Sequence, residues 1–241
     1  MGVLSETRER ILGLCRDAGV DFAMPVTVTW PTAAEGPVRK GREHLVEAVV
    51  DGAVGQAWTD QPSEWSGTLG DVLQMPLKAA SRRAIVVATL NALSGRLGLT
   101  GHNLRCRRGE SVACGRELVA QLKRRFEDSA RILLVGYQPG LAEALVKAFG
   151  PKSVRVLDHD ADNIGRTLHG VRIENGDADY SGDVRWCDLM VVTGSSVVNG
   201  TLDDLLRHSQ DASKPLVFFG NTIAAVAAIA DLQRLCPAAA H

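Results

Sequence analysis

Residues 191–206 read VVTGSSVVNGTLDDLL, and this stretch decides how the second half of the chain folds. Its apolar start predicts a buried strand, its Gly/Ser/Asn segment a loop, and the residues from Leu202 onward a helix. Thr201 is a favourable N-cap, and Asp204 lies three residues later, which is the spacing of a capping box. Because the N–H groups at a helix start are exposed, we expect this loop to hold an anion or a polar ligand.

The composition is that of an ordinary globular protein. The chain has 241 residues, of which 45% are hydrophobic and 23% charged, enough for one large domain or two small ones. The formal net charge is -1 and no polybasic run is present. Nucleic acids and anionic membranes are therefore disfavoured as partners, since both require concentrated Lys and Arg.

The expected compartment follows from the chain start and the cysteines. The first residues are mixed and charged rather than apolar, and no stretch reaches the roughly 18 apolar residues of a membrane helix. The cysteines are odd in number and scattered, which argues against a disulfide framework; they are Cys15, Cys106, Cys114, Cys187 and Cys236. These features predict a soluble protein of the reducing cytoplasm.

Two patterns of secondary structure divide the chain. Residues 1–110 mix helical spacing with β-type alternation, as in residues 22–30, and predict an α+β domain. From Arg131, buried-type strands alternate with helices, which predicts a parallel sheet with helical crossovers within residues 111–241. The predicted strands there are 132–135, 154–157, 189–192 and 216–219, and a last helix is predicted from Thr222 to Leu235. The fold class is therefore α/β.

Short motifs in the C-terminal half carry a family resemblance. They are Val135-Gly136-Tyr137 with Pro139, Cys187-Asp188-Leu189 leading into Thr193-Gly194, Asn199-Gly200-Thr201-Leu202, and Phe219-Gly220. Through them this half resembles the Rossmann-like domain of the family described as "Putative heavy-metal chelation". The N-terminal half looks like that family's partner domain, which is similar to the N-terminal domain of enolases. The matching stretches there are 55–58, 67–69 and 88–93.

The resemblance implies metal handling, with a metal ion or a metal-chelating small molecule bound between the two domains. It does not imply enolase chemistry, because the catalytic barrel of enolases is absent. The sequence departs from the family pattern after Gly220. Asn221-Thr222-Ile223 stands there in place of a small-residue turn that contains proline.

A second interpretation starts from the turn at residues 136–140, which follows a strand and opens a helix. Doubly wound folds bind ligands at this position, and Asp158 ends the next strand, where a ribose hydroxyl is contacted in nucleotide-binding folds. However, the glycine spacing is G-x-x-x-G rather than G-x-G-x-x-G, and Pro139 removes an N–H that a pyrophosphate would use. Binding of an adenine nucleotide or S-adenosylmethionine remains an alternative.

Candidate metal ligands follow the second strand of the α/β half. His159 with the neighbouring carboxylate of Asp158 is a plausible transition-metal pair by ligand type. The segment 158–163 resembles the start of a calcium loop but lacks its glycine and its terminal glutamate. His102, Cys106 and Cys114 share one glycine-rich stretch without a C-x-x-C pair, so a structural zinc site there would need a further ligand.

The predicted ligand site lies at the carboxyl ends of the parallel strands, facing the first domain. Tyr137 and Asn199 are expected to recognise the ligand, and the helix start behind Thr201 is expected to hold an anionic group. Ser195 and Ser196 lack the G-x-S-x-G pattern of a nucleophile, so we interpret them as hydrogen-bonding groups, with a Ser–His pair left open. The predicted lining is Gly136, Tyr137, Asp158, Thr193, Gly194, Ser195, Asn199, Thr201, Gly220 and Asn221.

Three functions are compatible with these residues. The first is a cytosolic binding protein for a metal ion or a metal chelate, a hypothesis that rests mainly on the resemblance. The second is an enzyme that acts on a small anionic metabolite and uses a nucleotide or S-adenosylmethionine in the same cleft. The third is a non-catalytic subunit of a metal-cofactor pathway. The apolar last helix also leaves a homodimer open.

Overall fold

The computed structural model describes residues 2–33, 36, 37, 39–101, 103–106 and 110–237. The helices are α1 (Val3–Asp17), α2 (Leu69–Leu73), α3 (Ala80–Arg96), α4 (Ser111–Lys123), α5 (Pro139–Phe149), α6 (Ser181–Trp186), α7 (Ser196–Asn199), α8 (Leu202–Asp211) and α9 (Ala224–Ile229). The strands are β1 (Pro25–Thr29), β2 (Thr32–Ala33), β3 (Gly36–Pro37), β4 (Arg39–Lys40), β5 (Glu43–Val50), β6 (Ala53–Thr59), β7 (Trp65–Thr68), β8 (Ile132–Val135), β9 (Val154–Asp158), β10 (Thr167–Leu168), β11 (Val171–Asn175), β12 (Leu189–Thr193), β13 (Leu216–Phe219) and β14 (Arg234–Leu235). None of the helices in this part of the chain is both long and apolar enough to cross a bilayer.

The first sheet is antiparallel and lies against α3. β5 pairs with β6, β1 and β4, and β1 also pairs with β7. Val26 and Val28 of β1 are buried while their neighbours are exposed, so the alternation in the sequence turns one face of β1 toward the core. The small antiparallel sheet with its helices agrees with the α+β prediction for this half. The likeness to the enolase N-terminal domain stays a prediction.

The second sheet is built mostly of parallel strands. Its order is β10-β11-β9-β8-β12-β13-β14, with β10 antiparallel at one edge. If its parallel strands are numbered within this half, the order is 3-2-1-4-5-6, which is that of doubly wound Rossmann sheets. The predicted α/β class is therefore confirmed, and the strand order reverses between β8 and β12.

Two predictions of secondary structure in this half were wrong. Between the predicted strands 154–157 and 189–192, where no strand was predicted, the structure contains β11, whose Val171 and Ile173 are buried beside β9. The last helix is also shorter than predicted: it ends at Ile229, and Asp231 has a φ of 54°. The chain then extends again, and β14 pairs with β13.

Alternate residues of the parallel strands belong to two different cores. In β8, Ile132 and Leu134 pack with α4 and α5, whereas Leu133 and Val135 face the other side. That other side is continuous with the core of the first sheet, so Leu133 belongs to the same apolar cluster as Val28 of β1. The two halves therefore share one core, which fixes the position of the antiparallel sheet relative to the ends of the parallel strands.

Candidate functional site

The predicted site residues meet where the strand order reverses. The loops after β8 and β12 leave the sheet side by side at this point, as expected for a ligand crevice in an open α/β sheet. Gly136 has a φ of 89°, and a Cβ atom built on it would lie 2.5 Å from Cγ2 of Thr193. Glycine is therefore required for the two loops to approach so closely.

A cleft of about 650 Å³ opens above these loops, a volume suited to a small molecule. From the predicted set, its walls contain Gly136, Tyr137, Asp158, His159, Thr193, Ser195, Asn199 and Thr201. The first half of the chain supplies the opposite wall, which contains Gly41, Arg42, Glu43, Asp60, Gln61, Lys78, Ala79, Ala80 and Arg83. The site was predicted to face the N-terminal half, and this geometry agrees with that prediction.

Tyr137 lies in the wall of the cleft at the start of the loop after β8. Burial raises the pKa of its phenol above the ordinary value, and the nearby Asp158 carboxylate adds to this effect. The hydroxyl group is thus protonated at neutral pH and can act as a hydrogen-bond donor to a ligand.

The carboxylate of Asp158 connects neighbouring loop segments through hydrogen bonds and has few positions left for a ligand. Its Oδ1 accepts the N–H groups of His159 and Asp160 at 2.7 and 3.1 Å. Its Oδ2 accepts the N–H of Tyr137 at 3.3 Å and Nδ2 of Asn163 at 2.9 Å. A carboxylate has about four acceptor positions, so little capacity remains for the ribose hydroxyls of a nucleotide or for a metal ion.

The start of α5 is closed to a phosphate group. Pro139 has no N–H, and the N–H of Leu141 is taken by the side chain of Gln138, which caps the helix. Helix α4 also crosses this end, since a Cβ atom at Gly140 would lie 3.0 Å from Cα of Val112. The helix start that holds the pyrophosphate in dinucleotide-binding folds is therefore both capped and covered.

His159 pairs with a carboxylate that the sequence analysis did not single out. Its Nδ1 lies 2.6 Å from Oδ1 of Asp177, and both residues line the cleft. The pair exists because β11 runs beside β9, with Asn175 in register with Asp158, so that the residues following each strand lie side by side. Because β11 was not predicted from the sequence, Asp177 was not recognised as a neighbour of His159. The Nε2 atom of His159 remains as the ring nitrogen not engaged by Asp177.

The described residues contain no cluster of three or more His, Cys, Asp or Glu side chains arranged to hold a metal ion. Of the two predicted metal ligands, Asp158 already accepts hydrogen bonds from N–H groups. His159 is engaged by Asp177 only through Nδ1, so its Nε2 is the candidate metal-binding atom. A carboxylate that orients the other nitrogen of a histidine is the usual surrounding of an imidazole ligand. The donor chemistry therefore fits a metal bound through His159 and completed by ligands from elsewhere.

Arg83 of α3 holds the loop that carries the predicted ligand-binding residues. Its Nε donates to the carbonyl of Val198 at 2.6 Å and its Nη2 to that of Asn199 at 3.1 Å. Its Nη1 donates to the carbonyls of Leu77 and Lys78 at 3.0 and 2.8 Å. Burial lowers the pKa of Arg83 from its ordinary value. The two sides of the cleft are thus tied together by one guanidinium group, whose partners the sequence could not identify.

The start of α3 faces the cleft, with Ala79 at the N-cap and no side-chain hydrogen bond to the first turn. Alanine is a poor N-cap, so the first N–H groups of this helix lack the usual side-chain acceptor. Lys78 lies next to them on the same wall. The anion-binding helix start was predicted at Thr201 instead. Lys78 was not singled out, because a lysine between Pro76 and an apolar helix is not a distinctive pattern.

The capping box predicted at Thr201 was wrong. The side chain of Thr201 makes no cap hydrogen bond, and Asp204 pairs with Arg207 at 2.8 Å. The reason is the short helix α7, which turns through Gly200 directly into α8. Thr201 consequently has a helical backbone conformation, whereas a capping side chain needs an extended one. Thr201 still lines the cleft.

Three predicted residues lie behind the walls of the cleft rather than in them. Gly194 donates its N–H to the carbonyl of Phe219 at 2.8 Å, and the carbonyl of Gly220 accepts Nε of Arg234 at 2.8 Å. Asn221 is 4% exposed, and its Oδ1 accepts Nε1 of Trp58 at 3.2 Å. The turn after β13 is therefore part of the contact between the two halves of the chain.

Asn91 of α3 lies at the centre of this contact between the two halves and is fully buried. Its Nδ2 donates to the carbonyls of Gln56 and Thr222 at 2.8 and 2.9 Å. Its Oδ1 accepts the N–H of Ala225 at 2.8 Å. One side chain thus satisfies main-chain groups of the antiparallel sheet and of the turn before α9.

The cysteines form no metal site that the described residues identify. Cys15 and Cys187 are buried, and burial raises the pKa of Cys187 to about 11. Cys106, Cys114 and Cys236 are partly exposed and form no disulfide among the described residues. His102, which the sequence analysis placed with Cys106 and Cys114, lies outside the described residues.

Comparison with known proteins now bears on this geometry. Residues 119–232 match the model of the family described as "Putative heavy-metal chelation". The resemblance inferred from the sequence is confirmed. The match contains the loops after β8, β9 and β12 and therefore the second-half wall of the cleft. No curated protein matches the chain.

Two solved structures from the same family, DUF364, have a similar fold. One is a protein of unknown function from Pyrococcus horikoshii, 17% identical, with a TM-score of 0.57 over 92% of this chain and 80% of that one. The other, also of unknown function, is from Desulfitobacterium hafniense and is 15% identical, with a TM-score of 0.51 over 95% of this chain and 83% of that one. At these identities the likeness supports the fold alone, and it extends over both halves of the chain.

Proposed function

We propose that the protein binds a metal ion carried by a small anionic chelator in the cleft between its two sheets. The observation that carries the proposal is the His159–Asp177 pair, which lines a cleft that also contains Lys78 and the uncapped start of α3. The family description supplies the coarser part, heavy-metal chelation. The identification of the ligand as a chelate and its position in the cleft are our inference.

His159 would be the attachment point for the metal. With Nδ1 bound to Asp177, its Nε2 is the donor that zinc, copper, nickel and iron accept from neutral imidazole. Asp177 would fix the orientation and the tautomer of the ring. When bound, the metal would supply a positive centre that the chelator's oxygen or nitrogen atoms complete.

Lys78 and the start of α3 would hold the negative groups of the chelator. A helix start attracts anions through its free N–H groups and its dipole, and an ammonium group adds a full charge. Ser195, Asn199 and the phenol of Tyr137 offer neutral hydrogen-bonding groups on the opposite wall. The cleft volume of about 650 Å³ suits a molecule of the size of a di- or tricarboxylate with its metal.

The nucleotide alternative receives less support from the same residues. Asp158 is engaged by four donors, and the first turn of α5 is capped by Gln138 and covered by α4. Both groups would have to be released before they could bind a ribose and a pyrophosphate. We therefore do not extend the proposal to adenosine-containing cofactors.

The proposal is tested by equilibrium dialysis with metal determination by mass spectrometry. The probes are Zn²⁺ and Ni²⁺, each alone and as the equimolar citrate complex. We expect at least one complex to be retained more strongly than the bare ion, and Asp177→Asn to weaken that retention by about 10- to 100-fold, as for other partners of metal-binding histidines. His159→Ala should weaken it at least as much.

His169→Asn is the matched control, since His169 lies outside the cleft and has a φ of 54°, which asparagine tolerates. This variant should retain the complexes as the unaltered protein does. Equal retention by His159→Ala and the unaltered protein would exclude His159 as the attachment point. Retention of neither complex would refute the proposal for this class of chelator.

A further inference from the structure

Two partly exposed cysteines lie at the contact between the two halves of the chain. Cys106 belongs to the segment before α4, and Cys236 follows β14. Neither residue lines the cleft, so the function proposed above does not use them.

Hydrogen bonds hold the segment of Cys106 against β6 and α3. The N–H of Arg105 donates to Oε1 of Gln56 at 2.7 Å. Nδ2 of Asn103 donates to the carbonyl of Asn91 at 2.9 Å. The side chain of Asn91 in turn donates to the turn after β13. Cys106 is therefore held beside the place where this turn meets the first half of the chain.

The segment of Cys236 reaches the same turn through the second sheet. β14 runs parallel to β13 with Leu235 in register with Phe219, so Cys236 comes beside Gly220, where the turn begins. Arg234 donates its Nε to the carbonyl of Gly220 at 2.8 Å and also forms a hydrogen bond with the side chain of Cys236. A guanidinium group thus lies against the sulfur of Cys236.

The two thiols are close enough to influence each other. Burial raises the pKa of Cys106 above its ordinary value, and the neighbouring Cys236 raises it further. Cysteines that react with oxidants are typically partly exposed, next to a cation and near a second thiol that resolves the first product. Cys236 has the cation, and Cys106 is the second thiol. By contrast, Cys15 and Cys187 are fully buried, which shields them from an oxidant.

We propose that Cys106 and Cys236 form a reversible redox site, which a small disulfide such as oxidised glutathione converts to an intramolecular disulfide. The thiolate of Cys236 attacks one sulfur of the oxidant, which forms a mixed disulfide and releases one glutathione thiolate. The thiolate of Cys106 then attacks Sγ of Cys236, which closes the protein disulfide and releases the second glutathione thiolate. The two cysteines lose two electrons and two protons in total, and two molecules of reduced glutathione carry them away.

The bond would connect the segment before α4 to the end of the second half of the chain. Because it would span the contact at the turn after β13, it would add a covalent link to the hydrogen bonds that already hold the halves together there. An excess of thiol reverses both exchange steps, so the link would follow the redox state of the surroundings.

The experiment exposes the full chain to mixtures of reduced and oxidised glutathione, blocks the remaining thiols with N-ethylmaleimide in denaturant, and measures the intact mass. We expect the oxidised protein to take up two fewer N-ethylmaleimide groups than the reduced protein and to carry no glutathione. Dithiothreitol should restore both groups. Cys106→Ser should instead retain one glutathione on Cys236, because the second exchange step cannot occur. Cys236→Ser should form no disulfide.

Cys114→Ser is the matched control, since Cys114 is also partly exposed. This variant should form the disulfide as the unaltered protein does. Peptide mapping of the oxidised, unaltered protein without reduction identifies the linked cysteines independently of the variants. An unchanged number of reactive thiols in the unaltered protein would overturn the assignment. So would a stable glutathione adduct in place of the disulfide, or a disulfide in Cys106→Ser or Cys236→Ser.

Discussion

Replacement of Gly55 by alanine is expected to destabilise the protein by about 3 kcal/mol or more, the upper range for an overpacked core. A Cβ atom at this position would lie 2.2 Å from the nitrogen of Ala92 and 2.3 Å from the carbonyl oxygen of Ala88. Both are main-chain atoms of α3, which cannot rotate away as a side chain could. The helix would have to move off β6, and with it the start of α3 that lines the cleft.

The measurement is urea unfolding followed by circular dichroism, with Gly13→Ala as the matched control. Gly13 lies inside α1, and a Cβ atom there would meet nothing within 4 Å. The same substitution should therefore stabilise the protein there, by up to about 1 kcal/mol, through helix propensity alone. A Gly55→Ala protein as stable as the unaltered one would show that α3 and β6 are not packed as closely as described.

The second large effect is expected for Asn91→Leu. Leucine has a similar volume but leaves the carbonyls of Gln56 and Thr222 and the N–H of Ala225 without partners in a fully buried position. Each buried unpaired group costs about 1–3 kcal/mol, so a loss on the order of 3 kcal/mol or more is expected. The turn after β13 should also loosen, which would expose Trp58 and shift the tryptophan fluorescence to longer wavelength.

Thr89→Val provides the comparison for Asn91→Leu. Thr89 is also buried in α3, but its hydroxyl donates only within the helix, to the carbonyl of Ile85 at 2.9 Å. Its removal should cost about 1 kcal/mol or less. Urea unfolding of both variants checks the difference. Similar stabilities for the two would mean that Asn91 does not connect the halves of the chain.

The sequence predicted the part of the candidate site that depends on local patterns. Strands that alternate with helices must lie parallel, so the residues after β8, β9 and β12 were bound to meet at one edge. This reasoning brought Tyr137, Asp158 and Ser195 together correctly. It also predicted that this edge of the sheet faces the N-terminal half, and the cleft there has walls from both halves.

The features that the sequence did not predict depend on contacts between residues that are far apart in the chain. Asp177 was missed because β11 has only two buried apolar residues and did not stand out in a charged stretch. The engagement of Asp158 depends on where main-chain N–H groups point after folding, which residue types do not reveal. Arg83 and Lys78 were not singled out in the sequence, since only the packing of α3 against the other half gives them a place in the cleft.

The packing of the first helix on the last one has a consequence for synthesis on the ribosome. α1 lies against α9, and Arg10 donates to the carbonyl of Ile229. Domains generally fold as they emerge, beginning at the N-terminus. Here α1 has to wait for more than 200 further residues before α9 exists, whereas its contact with α3 can form earlier. The part of its apolar face that packs on α9 therefore stays uncovered for most of translation.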